Sequence, residues 1–303
     1  MNTSLGPGHA KWLVLTLIAC AAGALPAWWV SGADPAFDPS RRPARDSSVD
    51  AEAVRSQATS SPRLRLDDIS TLASGTTLRR GVFNISRARE FEMADRFSGL
   101  DIELLSAEAL RPSIGLIHVL NGVLRRFRPL SGSGSVSGIQ LLLVDRIWFD
   151  RDACNGFNFD ATVLIAVSTG RDSPRGWWEV RDTLIHEISE VLLRRNSRLF
   201  DAEKWRACLP PEFEYAGPKR DRACLIDQPT WDVAARGFTT PYAMRTLSDD
   251  FGEFSVAMFT RYSSVQRWST ESIAIREKAA VATQFYGALS DGFCDDFFES
   301  FAD

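Results

Sequence analysis

The segment "DTLIHEISEVLL", residues 182 to 193, decides how the rest of this chain is interpreted. On a helix, His186 and Glu190 project to the same side because they stand four positions apart, and Glu187 lies one position round. This spacing is typical of two metal ligands with a neighbouring general base. The apolar residues Leu184, Ile185, Ile188, Val191 and Leu192 fall on the opposite side. An ordinary surface helix with a solvated polar face has the same pattern.

A second segment, "GFTTPYAMRTLSDDFGEFSVAMFTRY" at residues 237 to 262, supplies further candidates. It contains Tyr242 and the acidic residues Asp249 and Asp250, which open a predicted helix. Thr246 and Asp249 also have the form of a capping box at a helix N-terminus. A cap and a favourable helix dipole therefore offer a purely structural explanation of these acids.

Taken together, these motifs resemble the lethal-factor-like gluzincin metallopeptidases, in which an HExxH helix is followed by a YA motif and an EDFAE helix. Tyr242 and Ala243 match the YA, and "DDFGE" at 249 to 253 matches EDFAE. "KWRACLPPEFEYAG" at 204 to 217 is similar to the segment that precedes these motifs in that family. The resemblance covers roughly residues 110 to 290 and implies an α+β, zincin-like metallopeptidase domain.

The resemblance implies a divalent metal held by His186, Glu190 and Asp249, with Glu187 as general base and Tyr242 as a donor to the developing oxyanion. Two positions depart from the family: Glu190 replaces its second histidine, and Asp249 is shorter than its glutamate ligand. One imidazole and two carboxylates make metal-bound water less acidic and favour harder ions. We expect zinc first, with manganese or calcium as alternatives, or no metal if the site is degenerate.

These residues predict a metal-dependent peptidase acting on a peptide or protein substrate. Two alternatives are open. One is a catalytically inactive zincin-fold protein that binds a peptide or envelope partner, and the other is a structural envelope protein in which the motifs serve only as cap and amphipathic helix. Convergence of His186, Glu190 and Asp249 in space is expected from the first two hypotheses and not from the third.

Composition is typical of a globular protein for most of the chain and argues against binding of nucleic acid. The 303 residues are 45% hydrophobic and 24% charged, which is ordinary for a folded protein. The net charge is -4 and the pI about 5.6, so no basic surface for nucleic acid is expected.

The first 30 residues predict export. An apolar run without charges extends from Trp12 to Val30, which suits a cleaved signal peptide, a lipoprotein signal or an uncleaved membrane anchor. "LIAC" at 17 to 20 resembles a bacterial lipobox, with Cys20 as the acylated residue. We expect a protein of the bacterial cell envelope, facing the periplasm, or a secreted one, that contacts membrane only through this segment.

Composition changes along the chain suggest three parts. Residues 1–30 are the signal or anchor, residues 31–77 are a disordered linker rich in Pro, Ser, Ala, Asp and Arg, and residues 78–303 are the folded domain. Within that domain we predict helices in residues 111–129 and 177–196 and from Asp249, and strands in residues 139–149 and 159–170. This order of elements is typical of an α+β domain.

The cysteines fit an oxidising compartment. Apart from Cys20 they are even in number, which allows three pairings; they are Cys154, Cys208, Cys224 and Cys294. We favour one pair between Cys208 and Cys224. His118, in the first predicted helix, is interpreted as a helix-surface or packing residue rather than a ligand.

Overall fold

A five-stranded mixed sheet is the centre of the computed structural model, which describes residues 63–88, 97, 99–110, 114–132, 138–173, 175–217 and 231–301. Its strand order is β1-β2-β4-β8-β7, in which β2, β4 and β8 are parallel and the edge strands β1 and β7 are antiparallel to their neighbours. The strands are β1 (Leu78–Arg80), β2 (Phe83–Arg87), β4 (Ile139–Val144), β7 (Gly156–Phe159) and β8 (Thr162–Ala166).

A smaller antiparallel sheet, of order β3-β5-β6, contributes to a second apolar cluster with the main sheet. Its strands are β3 (Leu100–Glu103), β5 (Arg146–Phe149) and β6 (Asp152–Cys154). Leu142 and Leu164 of the main sheet share this cluster with Ile147, whereas Leu141 and Val163 belong to the main helical core. The alternation of side chains along β4 and β8 therefore buries both faces of the sheet.

Helices make up the rest of the domain, and several of them pack in the main core. They are α1 (Leu66–Ala73), α2 (Ile114–Arg126), α3 (Ser168–Asp172), α4 (Trp177–Arg195), α5 (Ala202–Ala207), α6 (Trp231–Ala235), α7 (Leu247–Thr260), α8 (Tyr262–Glu271), α9 (Ile273–Leu289) and α10 (Asp295–Glu299). Short 3-10 turns occur at Arg128–Gly132, Ser197–Leu199 and Tyr242–Met244.

The predicted α+β class is confirmed by this mixture of helices and strands. The predicted helices are present as α2, α4 and α7, and α7 begins at Leu247, two residues before the expected start. His118 is an exposed residue of α2, in agreement with its interpretation as a helix-surface residue.

Each predicted strand region is interrupted by a turn. Residues 139–149 divide at Asp145 into β4 and β5, which belong to different sheets. Residues 159–170 contain the end of β7, a turn, β8 and the start of α3. Asp160 has a φ of 45° in the turn between β7 and β8, a left-handed conformation that aspartate tolerates better than most residues. Aspartates within apolar runs were the overlooked turn signals.

The predicted start of the folded domain at residue 78 is too late. Helix α1 lies within the segment that was assigned to a disordered linker, and Leu64 and Leu72 are buried in the main core. The backbone N–H of Leu64 also donates to Asn121 of α2 at 2.6 Å. Ordered structure thus begins by residue 63, and the rest of the predicted linker, residues 31–62, lies outside the described residues.

Several other predictions also fall outside the described part of the chain. These are the export or anchor segment at residues 1–30 and the favoured partner Cys224. Cys154, Cys208 and Cys294 are described, and no disulfide joins them to one another. Within the described ranges, no helix has the length and apolar character needed to cross a membrane.

Candidate metal centre

The three predicted ligands converge where α4 packs against α7. His186 and Glu190 come from the middle of α4, and Asp249 comes from the first turn of α7. One potential ligand atom from each residue lies within 4.8 Å of the other two. The hypothesis of a purely structural pair of helices expected these side chains to be scattered, and their proximity argues against it.

His186 is oriented by carboxylates on both ring nitrogens. Its Nδ1 is 3.0 Å from Oε1 of Glu253, a hydrogen-bond distance. Its Nε2 faces Oε1 of Glu190 at 3.6 Å and Oδ1 of Asp249 at 3.9 Å, both longer than an ordinary hydrogen bond. The Nδ1 contact fixes the ring so that Nε2 is directed toward the other two carboxylates.

The polar side of α4 is not a solvated surface. His186 is only 6% exposed, and Asp249 is 8% exposed. The five apolar residues predicted for the opposite side are fully buried, as expected; they are Leu184, Ile185, Ile188, Val191 and Leu192. Around His186 the polar side of α4 is therefore enclosed rather than a solvated face, with Glu187 and Glu190 half-buried.

Glu187 is held by the edge strand β7. Its Oε2 and Oε2 of Glu190 both accept from the amide Nδ2 of Asn158, the latter at 2.6 Å. Gly156 of the same strand allows this approach, because a Cβ there would stand 2.9 Å from Oε1 of Glu187 and 2.5 Å from Thr183. The position predicted for a general base is thus fixed against β7.

Asp249 takes part in the N-terminal cap of α7 and also faces the site, so it has both of the roles that the sequence suggested. Thr246 is the N-cap of α7: its Oγ1 accepts from the backbone N–H of Asp249 at 3.0 Å and donates to Oδ2 at 2.7 Å. The other oxygen, Oδ1, is the one that faces His186. The cap orients the carboxylate for the site, so the structural and functional interpretations are compatible.

Tyr242 lies beside the site. Its ring is 5.8 Å from the His186 ring, measured between centroids, in an edge-on arrangement. The guanidinium of Arg245 stands 4.5 Å from the centre of the same ring, on its face. Tyr242 also lines the cleft in front of His186 and Glu187, as its predicted role requires.

Burial and mutual charge shift the acidities of these groups in different directions. Burial lowers the pKa of His186, but Glu190 and Glu253 raise it by more, so the pKa stands well above its usual value. Burial and the charge of Glu190 raise the pKa of Glu187 to about 7. Burial raises the pKa of Glu190, yet contacts with His186 and other donors lower it further, to about 2. Burial raises the pKa of Asp249.

The three residues could hold a small divalent cation. Ligand atoms about 2.1 Å from one tetrahedral ion stand roughly 3.4 Å apart, close to the separations from Nε2 of His186. Four carboxylates surround a single imidazole, which leaves an excess of negative charge in a buried place; they are Glu187, Glu190, Asp249 and Glu253. The contact of Glu253 with Nδ1 is the outer carboxylate that metal-bound histidines commonly have.

Sequence reasoning missed two members of the site, Glu253 and Asn158. Glu253 also accepts from Oγ1 of Thr240 at 2.8 Å, which links α7 to the segment before Tyr242. Its position four residues after Asp249 placed it on the same side of α7, and this spacing was the available signal. Asn158 gave no comparable signal, because it lies in an edge strand among aromatic residues.

Behind the site, Asp250 links α7 to the segment at residues 204–217 that precedes it in the chain. Its Oδ2 accepts from Nζ of Lys278 at 2.6 Å, Oη of Tyr215 at 2.8 Å and Nε1 of Trp205 at 2.9 Å. Lys278 also donates to the carbonyl of Gly237 at 2.7 Å, and both charged side chains have no exposed surface. The "KWRACLPPEFEYAG" segment and "DDFGE" therefore meet at a buried ion pair.

Comparison of the chain with protein-family models, curated proteins and solved structures finds no match.

Proposed function

We propose that this protein is a metal-dependent peptidase of the zincin type, in which His186, Glu190 and Asp249 hold a divalent ion. One observation carries the proposal: Nε2 of His186 faces carboxylate oxygens from two helices at 3.6 Å and 3.9 Å, while Glu253 fixes Nδ1. When bound, the ion supplies Lewis acidity to water and to a carbonyl group. Zinc fits the imidazole and manganese the oxygen-rich remainder, so these two ions are the first to test.

Glu187 is the general base in this proposal. Its carboxylate accepts the proton of a water as the water oxygen attacks the peptide carbonyl, then delivers that proton to the amine nitrogen as the C–N bond breaks. Without a metal the pKa of Glu187 is raised to about 7 by burial and the charge of Glu190, and a bound cation would lower it. Asn158 keeps the carboxylate in place, which reduces the reorganisation needed.

Tyr242 and β7 are the proposed substrate contacts. The Tyr242 hydroxyl would donate to the oxygen on which negative charge develops. Because β7 is the edge strand of the main sheet and Gly156 lines the cleft, an extended peptide could align along it by main-chain hydrogen bonds.

Replacement of Glu187 by Gln tests the assignment. We expect Glu187→Gln to lose about 10²–10⁴-fold in peptide hydrolysis while keeping its metal, because the amide cannot accept the proton but has the same shape. Glu203→Gln, an exposed substitution on α5, is the control and should keep full activity. Retention of activity in Glu187→Gln would refute the role of this residue as base.

A second candidate, a non-catalytic zincin-fold binding protein, is favoured by the charge balance around His186. With its raised pKa, His186 is a cation between Glu190 and Glu253, so it offsets one of their two charges without a metal. Metal binding by Glu190→His that is absent from the parent protein would support this candidate. The same metal content in both proteins would count against it.

A further inference from the structure

The cleft in front of the site is small, and most of the side chains that line it are polar or charged. Its volume is about 270 Å³, and His186 and Glu187 form part of its wall. Pockets for drug-sized ligands usually have about 300–1,000 Å³. The cleft has room for a short piece of a peptide, such as one or two residues, beside the charged side chains of its wall.

Two acidic residues of the wall are already engaged by the protein. Glu179 accepts from Nδ2 of Asn155 at 2.5 Å and from the hydroxyl of Ser173. Asp182 contacts Arg181 at 2.7 Å and Arg175 at 3.8 Å. Glu179, Asp182 and Arg175 thus all have polar partners within the protein.

Arg261 differs from these residues. Its Nε is buried and has no hydrogen-bond partner among the described residues, and none of their carboxylates lies within 4.0 Å of its guanidinium. The base of the side chain is fixed where α7 ends: the backbone N–H donates to Ala257 at 2.8 Å, and the carbonyl accepts from Ser264 at 2.9 Å. An unsatisfied buried guanidinium nitrogen is costly unless a ligand completes it.

We propose that Arg261 determines specificity by binding a carboxylate of the substrate. A guanidinium presents a planar fork of donors that matches a carboxylate. Because Arg261 shares the cleft with His186 and Glu187, preferred substrates carry Glu or Asp within one or two residues of the cleaved bond. Preferred cleavage beside Glu or Asp rests on the proposed peptidase function, whereas binding of a carboxylate by Arg261 does not.

A competing explanation is that Arg261 only compensates Glu253, whose pKa its charge helps to lower. In that case the loss of Arg261 would weaken the site for every peptide to the same degree. The ratio of kcat/KM for a Glu peptide to kcat/KM for the corresponding Gln peptide separates the two explanations.

The test uses the full-length protein, loaded with zinc or manganese, and peptides with acetylated and amidated ends that carry Glu, Gln or Lys at successive positions. We expect Glu peptides to be cleaved about tenfold better than Gln peptides at one position, measured as kcat/KM. Arg261→Gln should abolish that ratio, Arg261→Lys should keep part of it, and Arg175→Gln should retain it because Arg175 already has a partner.

Binding of the same Glu and Gln peptides, measured by calorimetry, is the second arm. If nothing is cleaved, the peptidase proposal fails, but tighter binding of the Glu peptide that is lost in Arg261→Gln still supports the carboxylate site. Equal binding and equal cleavage of the Glu and Gln peptides by the unaltered protein would overturn the inference, even if no variant folds. A preference for Lys, or one that depends on Arg175 alone, would overturn it as well.

Discussion

The imidazole of His186 lies directly against the backbone of Gly252. A Cβ at residue 252 would stand 2.7 Å from Cε1 and 2.8 Å from Nδ1 of the histidine ring. Real Cβ atoms do not approach so closely, and α7 can reach α4 at this point only because residue 252 has no side chain. The position of the proposed ligand His186 therefore depends on a glycine that makes no polar contact with it.

Gly252→Ala should displace His186 and weaken the site. We expect a loss of about 1–3 kcal/mol in the free energy of unfolding from overpacking, together with reduced metal affinity. The matched control is Gly287→Ala on α9, where the new Cβ would meet only the carbonyl of Phe293 at 3.7 Å. That change should be neutral or stabilise by up to about 1 kcal/mol. Thermal unfolding and metal titration measure both effects, and equal behaviour of the two variants would contradict the close-contact argument.

Glu253→Gln should weaken metal binding without removing a ligand. The amide keeps the shape of the side chain but loses the charge that holds Nδ1 of His186 at 3.0 Å. Loss of such outer contacts typically costs 10–100-fold in metal affinity. Glu271→Gln, an exposed change on α8, serves as the control in the same competition assay. At a pH where the His186 ring is neutral in both proteins, unchanged affinity in Glu253→Gln would show that Glu253 does not support the site.

The ligand positions on α4 could be predicted because they depend on local geometry. A helix fixes the relation of His186, Glu187 and Glu190 through its own period, and the capping pattern fixed the start of α7 near Asp249. The family resemblance then indicated Asp249 as the third ligand. Because Glu190 stands where the family has its second histidine, the resemblance did not establish whether the three residues bind a metal.

The remaining members of the site depend on contacts that the sequence does not encode locally. Asn158 reaches Glu187 and Glu190 only because β7 is the edge strand next to α4, and that is a property of the strand order. Lys278 reaches Asp250 across 28 positions, from α9 to α7. Lys278 is one of only four lysines in the sequence, but no periodic pattern indicates that Asp250 is its partner.

Lys278→Met should destabilise the protein strongly. It leaves Asp250 as a buried charge without its cation, which typically costs about 3–5 kcal/mol. Adding Asp250→Asn should recover part of the loss, because the amide oxygen still accepts from Trp205 and Tyr215. Chemical denaturation measures both variants, with the exposed change Lys204→Met as a control expected to be within about 0.5 kcal/mol of the parent. A double variant as unstable as Lys278→Met alone would contradict the ion-pair argument.

Metal affinity should rise with pH. His186 has a pKa well above its usual value, so at neutral pH its ring carries a proton that a metal must displace. Below that pKa we expect about a tenfold gain in affinity for each unit of pH, and the gain should stop once the ring is neutral. Glu190, whose pKa is about 2, is already ionised and adds no dependence in this range.

The same measurement of metal affinity against pH in Glu253→Gln tests whether the proton on His186 causes the dependence. Removal of this carboxylate should lower the pKa of His186, and the rise in affinity should then level off at a lower pH. Zinc competition assays between about pH 6 and 9 would cover the range. An affinity that does not change with pH in the parent protein would mean that His186 is not the group that the metal displaces.

Metal content is the most direct test of the central claim that His186, Glu190 and Asp249 form a metal site. The full-length protein, purified without chelator from an oxidising compartment, should be measured beside His186→Ala, with circular dichroism to show that both are folded. We predict close to one zinc or manganese ion per chain in the parent and almost none in His186→Ala. Absence of metal from both folded proteins, or equal metal in both, would contradict the claim.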